Sequence, residues 1–312
     1  MLQEPLLEWS EPFLHYVEFL AVLLPVGAVG FRYSALRGPA PGGGEQVWRD
    51  AARRAAWIGV AGMAAAAFML ARGLPALAER RHTTVTALMT GSLQPALQVI
   101  LFLVALAGFL LAAAGRRPGW VLAALGAILG QVRGVLGGQL VRLVNPLHVL
   151  FASLWIGTLF VLVVAGLGSL FRDEPTAEGR GALAARMVNG FSPLALVSAA
   201  CVAIFGVITA WRHLHRLDAL WTTPYGLALI AKLAAVAVVV ALGAWNWRRQ
   251  RPALGSDTSA RSLRRTATSE LAAAGVVLLI TGVLVSLPSP RRPRTPPVGA
   301  GAAAPAPVEA PH

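Results

Sequence analysis

Six histidines stand at positions 15, 82, 148, 213, 215 and 312. Imidazole is the commonest protein metal ligand, and it suits copper in particular. His15 and Glu18 are three residues apart, which puts them on one face of a helix. His148 opens a later apolar run much as His15 opens the first. An ionisable group inside an apolar run is a functional candidate by default. Two imidazoles at one depth, with a carboxylate beside them, make a three-donor pocket for a metal ion. The plainer alternative is that His15 and Glu18 bond only to each other or to a polar neighbour. Thioether sulfur suits Cu(I). Met63 and Met69 lie in the second apolar run, Met69 toward its far end, and Met89 lies in the loop beyond. No Met-x-x-Met or Met-x-x-x-Met ladder occurs, so ordinary packing competes as their role.

Lys232 is the only lysine and sits two turns into an apolar run. It either snorkels or pairs with a carboxylate, and Glu18 is the better partner by depth. Cys201 is the only cysteine, so no intrachain disulfide or Cys-x-x-Cys motif exists. Its expected role is a small buried hydrophobe. There is no Gly-x-x-x-x-Gly-Lys-Ser/Thr loop, no Asp-Lys-Thr-Gly and no His-Glu-x-x-His. An ATP-driven motor and a zinc protease of that type are excluded, and no enzyme activity is expected.

The elements that must hold these residues are read from composition. Hydrophobic residues make up 56% of 312, charged residues only 13%, and mean hydropathy is +0.64. A soluble domain carries about 25% charged residues. The composition excludes a disordered chain, a soluble enzyme and a secreted disulfide scaffold. Eight apolar runs approach or reach span length, at roughly 13–31, 55–72, 93–114, 119–136, 147–170, 191–211, 225–247 and 269–287. In lipid an open chain must satisfy its own backbone, so each is a helix. The expected fold is all-α, a polytopic bundle of eight transmembrane helices. The fourth run is the weakest, with Gln131, Arg133 and several glycines, and is expected to end early or break near Gly134.

The net charge is +13. Nucleic acid is one reading of such a charge, but the arginines sit in short connections between apolar runs. Sixteen lie in the connections after the first, third, fifth and seventh runs, against ten on the other side. By the positive-inside rule both termini lie outside the cytoplasm. All six histidines then fall on the outer side, as suits a protein that collects a metal from outside. The N-terminus carries three glutamates and no basic residue, the wrong flank for a cleaved signal peptide, so the first run should stay in the membrane. Residues 1–144 form an N-terminal four-helix half and 145–290 a second one. The faint Leu-His likeness at 14–15 and 147–148 hints at parallel duplication. The tail from Pro288, including 291–312, is rich in Pro and Ala and is expected to be disordered.

The second half reads NPLHVLFASLWIG, then FSPLALVSAACVAIFGVITAW, TTPYGLALIAKL, GAWNWRR and finally SELAAAGVVLLITGVLVSLP. This resembles the copper resistance protein D (CopD) family of bacterial inner-membrane proteins over about residues 145–290. The matching positions are His148, Trp155, Gly157, Phe191, Ser192, Gly206, Thr223, Tyr225, Gly226, Lys232, Leu233, Gly243, Asn246 and Glu270. Many relatives carry a Gly-His-Ala patch after the fourth span, where this chain reads Gly130-Gln131-Val132, one ligand fewer. The resemblance implies copper transport across the inner membrane, inward from the periplasm, with a CopC-type periplasmic chaperone delivering the ion. The expected metal site is His15, Glu18 and His148, with Met69, Lys232 and Trp155 as accessories. Two other readings compete: a b-type cytochrome with His15 and His148 as axial ligands of one haem, and an assembly factor that delivers copper without transporting it. A third is a membrane protein that has lost the family role.

Overall fold

The computed structural model describes residues 10–91, 93–133, 143–173, 176–214, 217–250 and 257–286. Among the described residues the regular structure is helix, joined by short turns, without a strand. The chain opens with α1 (Ser10–Tyr33), a 3-10 turn at Pro41–Gly43 and the long α2 (Glu45–Arg80). The short α3 (Val85–Gly91), α4 (Leu93–Ala113) and α5 (Pro118–Val132) complete the first half. A single helical rod then runs through α6 (Val144–Ala152), α7 (Thr158–Val161) and α8 (Gly168–Asp173). Two π-helical segments, Ser153–Gly157 and Leu162–Leu167, join its three parts. Last come α9 (Ala177–Leu214), the one-turn α10 (Ala219–Thr222), α11 (Pro224–Gln250) and α12 (Asp257–Ser286).

Each of the eight expected runs falls on a helix. Six are long and apolar enough to cross a membrane; the fourth and eighth runs fall on the shorter apolar stretches Pro118–Val132 and Leu271–Ser286. Within the described residues the fourth is α5, Pro118–Val132. Gly134 and the Pro-rich tail lie outside the described residues.

The rod α6–α8 is the centre of the bundle. In its apolar window 56% of residues are buried inside the protein, against 11% in α9 and in α11. Leu196 and Val207 of α9 and Leu227 and Leu233 of α11 are exposed, as residues facing lipid tails would be. Small residues let the helices approach closely without a hydrophobic driving force. Gly157, in the first π segment, meets the backbone of α1 at Leu23 and Gly27. The Thr158 hydroxyl also donates to the Gly27 carbonyl at 3.4 Å across this seam. α4 and α5 form a tight antiparallel pair with Gly108 of α4 against the Ala123 backbone. Their connection turns at Gly115, whose φ of +81° suits glycine.

α2 has 36 residues and α9 has 38, about 54 and 57 Å at 1.5 Å per residue. Both overhang a hydrocarbon core of about 30 Å. The overhang is at their N-terminal ends and is packed. Leu36, Val47, Trp48, Ala51, Leu170, Leu183, Ala184 and Met187 are all buried there, within the main core. Polar ties close the same end. The Trp48 indole N–H donates to the Leu36 carbonyl at 3.4 Å, Arg186 donates to the Arg37 carbonyl at 3.2 Å, and Arg54 donates to the Ser169 hydroxyl at 2.7 Å. The connections after the first and fifth runs are therefore at one end of the bundle, the Trp48 end. His15 is at the other.

Candidate metal site

At the His15 end, α1, α2 and the last turn of α12 surround an open cavity of about 380 Å³. His15, Glu18, Met69, Arg72 and Ser286 border it. The His15 Nδ1 lies 3.3 Å from Glu18 Oε2. An ionised carboxylate only accepts, so Nδ1 carries the hydrogen and Nε2 is left as the donor atom for a metal. This is the carboxylate–histidine arrangement that fixes ring orientation and raises ligand basicity. It makes Glu18 the partner that holds the ring. Among the described residues Arg72 is the one Lys or Arg bordering this space; its guanidinium lies over the Phe68 ring, 5.8 Å from the centroid.

Met69 meets Glu18 because of the α1/α2 register. Gly62 packs on the Pro25 ring. Seven residues farther along α2 is Met69, and seven residues back along antiparallel α1 is Glu18. A second cavity of about 370 Å³ runs inward from there between α1, α2, α4 and α5. Glu18 and Met69 border both spaces; Met63, Gln98, Gln131 and Arg133 border the inner one. Arg133 donates to the Gly130 carbonyl, and Gln94 donates to the Arg133 carbonyl at 3.4 Å. This inner cavity did not emerge from the sequence reading. Its signal was there: Gln98, Gln131 and Arg133 interrupt otherwise apolar runs.

His148 stands apart. Its Nδ1 donates to the Val202 carbonyl of α9 at 3.1 Å, so here too Nε2 is the available donor atom. The ring rests against Gly206, where an added Cβ would lie 3.1 Å from Cε1. His148 borders neither cavity, and His15 faces α2 and α12 rather than α9. The expected convergence of His15, Glu18 and His148 on one pocket is thus not what the helices build. Depth agreed, but the faces differ. Lys232, half-buried on α11, is within electrostatic reach of His148 rather than paired with Glu18. Trp155, half-buried in the first π segment, packs against the main core. Ser198 is fully buried one turn before Val202, and its hydroxyl has no hydrogen-bond partner among the described residues. Cys201 is only partly buried.

Among the described residues no group of three or more His, Cys, Asp or Glu side chains is gathered for a metal ion. What is gathered at His15 is one imidazole nitrogen, one carboxylate and one thioether. His82 is in the turn after α2 with a left-handed φ of 50°. His213 is in α9, and His215 and His312 lie outside the described residues.

Gly206→Val should push the His148 ring off α9 and break its bond to Val202. The expected cost is about 1–3 kcal/mol, the usual range for overpacking. Thermal unfolding of the detergent-solubilised protein measures it. Gly275→Val, where nothing lies near the added atom, should leave the midpoint in place.

Comparison with known proteins bears out the resemblance in the C-terminal half. A family model described as "Copper resistance protein D" (CopD) matches residues 185–284, from α9 through α12. The copper transport protein CutJ of Bacillus subtilis (strain 168) is 30% identical over 154 residues. That stretch is 48% of this chain, and the chain spans only 26% of the relative's length. No solved structure matches. One matching block, Thr223-Pro224-Tyr225-Gly226, has a structural role here. The Thr223 hydroxyl accepts from the Gly226 N–H at 3.0 Å and donates to the Ala219 carbonyl at 2.6 Å. It caps α11, Pro224 opens the helix, and Tyr225 is buried with Leu214, Leu229 and Leu284.

Proposed function

We propose that this chain carries copper across the bacterial inner membrane, inward from the periplasm, with no enzymatic step. The carrier would be an eight-span bundle with both termini outside. The observation that carries the reading is the His15–Glu18 pair, with Nε2 free and Met69 bordering the same cavity, at the end of the bundle away from Trp48; the positive-inside rule puts that end toward the periplasm. The CopD match in the second half and the printed name of the Bacillus relative support copper as the cargo. The ion docks at His15, oriented by Glu18, with Met69 supplying a soft donor. His148, on the α6/α9 seam near Lys232 and seven residues before Trp155, is a second station. A periplasmic chaperone of the CopC type would bring the ion.

The cytochrome alternative asks both imidazoles to face one iron from opposite sides. The two rings sit on different seams, which argues against it. The test is copper accumulation in cells, wild type beside the His15→Ala/His148→Ala double variant, with an absorption spectrum of each purified protein. Accumulation should fall to the level of cells lacking the protein, and no Soret band should appear. Unchanged accumulation in the double variant would reject the reading, and a Soret band would replace it with the haem reading.

A further inference from the structure

We infer that the cargo is cuprous, Cu(I), and that beyond the docking site it stops inside the N-terminal half at the sulfur of Met63. This deepens the reading of His15 and Glu18 as the docking site and rests on it. Two observations carry it. First, the outer and inner cavities share two bordering residues, Glu18 and Met69. An ion at His15 is therefore already beside the inner space. Second, Met63 is only 5% exposed and packs in the main core, yet it borders that inner space. Met63 is six residues nearer the middle of α2 than Met69, about 9 Å along the axis. The Gly62–Pro25 contact fixes its depth close to the middle of α1.

The donor chemistry then selects the ion. Beyond Glu18 at its mouth, the inner cavity is bordered by no carboxylate or imidazole among the described residues. Its polar groups are the amides Gln98 and Gln131 and the guanidinium Arg133. A divalent cation stripped of water needs charged or strongly basic donors, which this space lacks. The Arg133 charge opposes a dication more than a monocation. Thioether sulfur binds Cu(I) well and suits hard divalent ions poorly. The ion is bound in the state in which it arrives, so no electron is transferred.

The probe is Ag(I), a redox-inert stand-in for Cu(I), titrated into the full chain in lipid nanodiscs with 13C-labelled methionine methyls. The chain has five methionines, and Met63→Leu and Met69→Leu assign two of the signals while keeping apolar volume. The Met63 and Met69 methyls should shift with Ag(I), and Met187, buried at the Trp48 end, should not. Zn(II) should move neither. At saturating Ag(I) the His15→Ala protein should still show the Met63 shift, since that stop does not use the imidazole. A Met63 methyl that stays put in the wild type overturns the proposal, as does an equal response to Zn(II). Copper uptake that ignores His15→Ala is the separate failure of the docking reading, because the methyl titration does not depend on uptake.

Discussion

Gly157→Val should leave little folded protein. A Cβ at this position would run into the Leu23 carbonyl, and the Gly27 Cα would be only 3.0 Å away. The reverse holds as well, because a Cβ on Gly27 would meet the Gly157 backbone. Overpacking against side chains costs about 1–3 kcal/mol, because side chains rotate away. Here the obstacle is backbone on both sides. α1 cannot retreat, since Pro25 is already seated on Gly62 of α2. Parting the seam also breaks the Thr158–Gly27 bond and uncovers Val161 and Phe31, both fully buried. The expected cost exceeds about 4 kcal/mol, at the exceptional end for single substitutions. The measurement is the yield of monodisperse protein and its unfolding midpoint, beside Gly130→Val, where the added atoms meet nothing. A Gly157→Val protein that melts with the wild type would show that the seam is not the close contact described.

His15→Ala should cost more copper affinity than any other single change at the docking site, because it removes the Nε2 donor. Glu18→Ala should cost about 10–100-fold, the usual penalty for losing the partner that orients a ligating histidine. The two losses should not add. Once the imidazole is gone, its orienting carboxylate has nothing to hold, so the double variant should bind like His15→Ala alone. Competition against a cuprous chelator, using the purified full chain, reads all three. Additive losses would show that Glu18 contacts the metal directly instead of holding the ring.

The depth of each functional residue could be read from the sequence, but its direction could not. A run of about 20 apolar residues has one outcome in lipid, so the eight runs all fell on helices. His15 and Glu18 met because a spacing of three is a local property of any helix. His148 faced α9 instead of His15 because direction around the axis depends on the neighbours chosen in the fold. The two π segments in the α6–α8 rod add to this, since each extra residue turns the faces beyond it by about 100° relative to an unbroken α-helix. Lys232 matched Glu18 in depth and came to His148 for the same reason. The overhang of α2 was invisible because arginines at 49, 53 and 54 mark an apolar run's edge while the helix continues past them.

The packed Trp48 end gives the bundle the mechanics of a pair of tongs held at the hinge. Two long arms, α2 and α9, flank α8 there, held by the core around Trp48, Leu183 and Met187, by the Arg54–Ser169 bond to α8, and by the Trp48 and Arg186 bonds to the loop after α1. At the far end α2 borders two open cavities, and among the described residues none of α9 does. Widening the gap between α2 and α12 at that end enlarges a space that already exists, whereas parting the other end must unseat a dense knot of side chains. In the copper-carrier reading, an ion would then enter more readily at the open end than it could leave through the closed one.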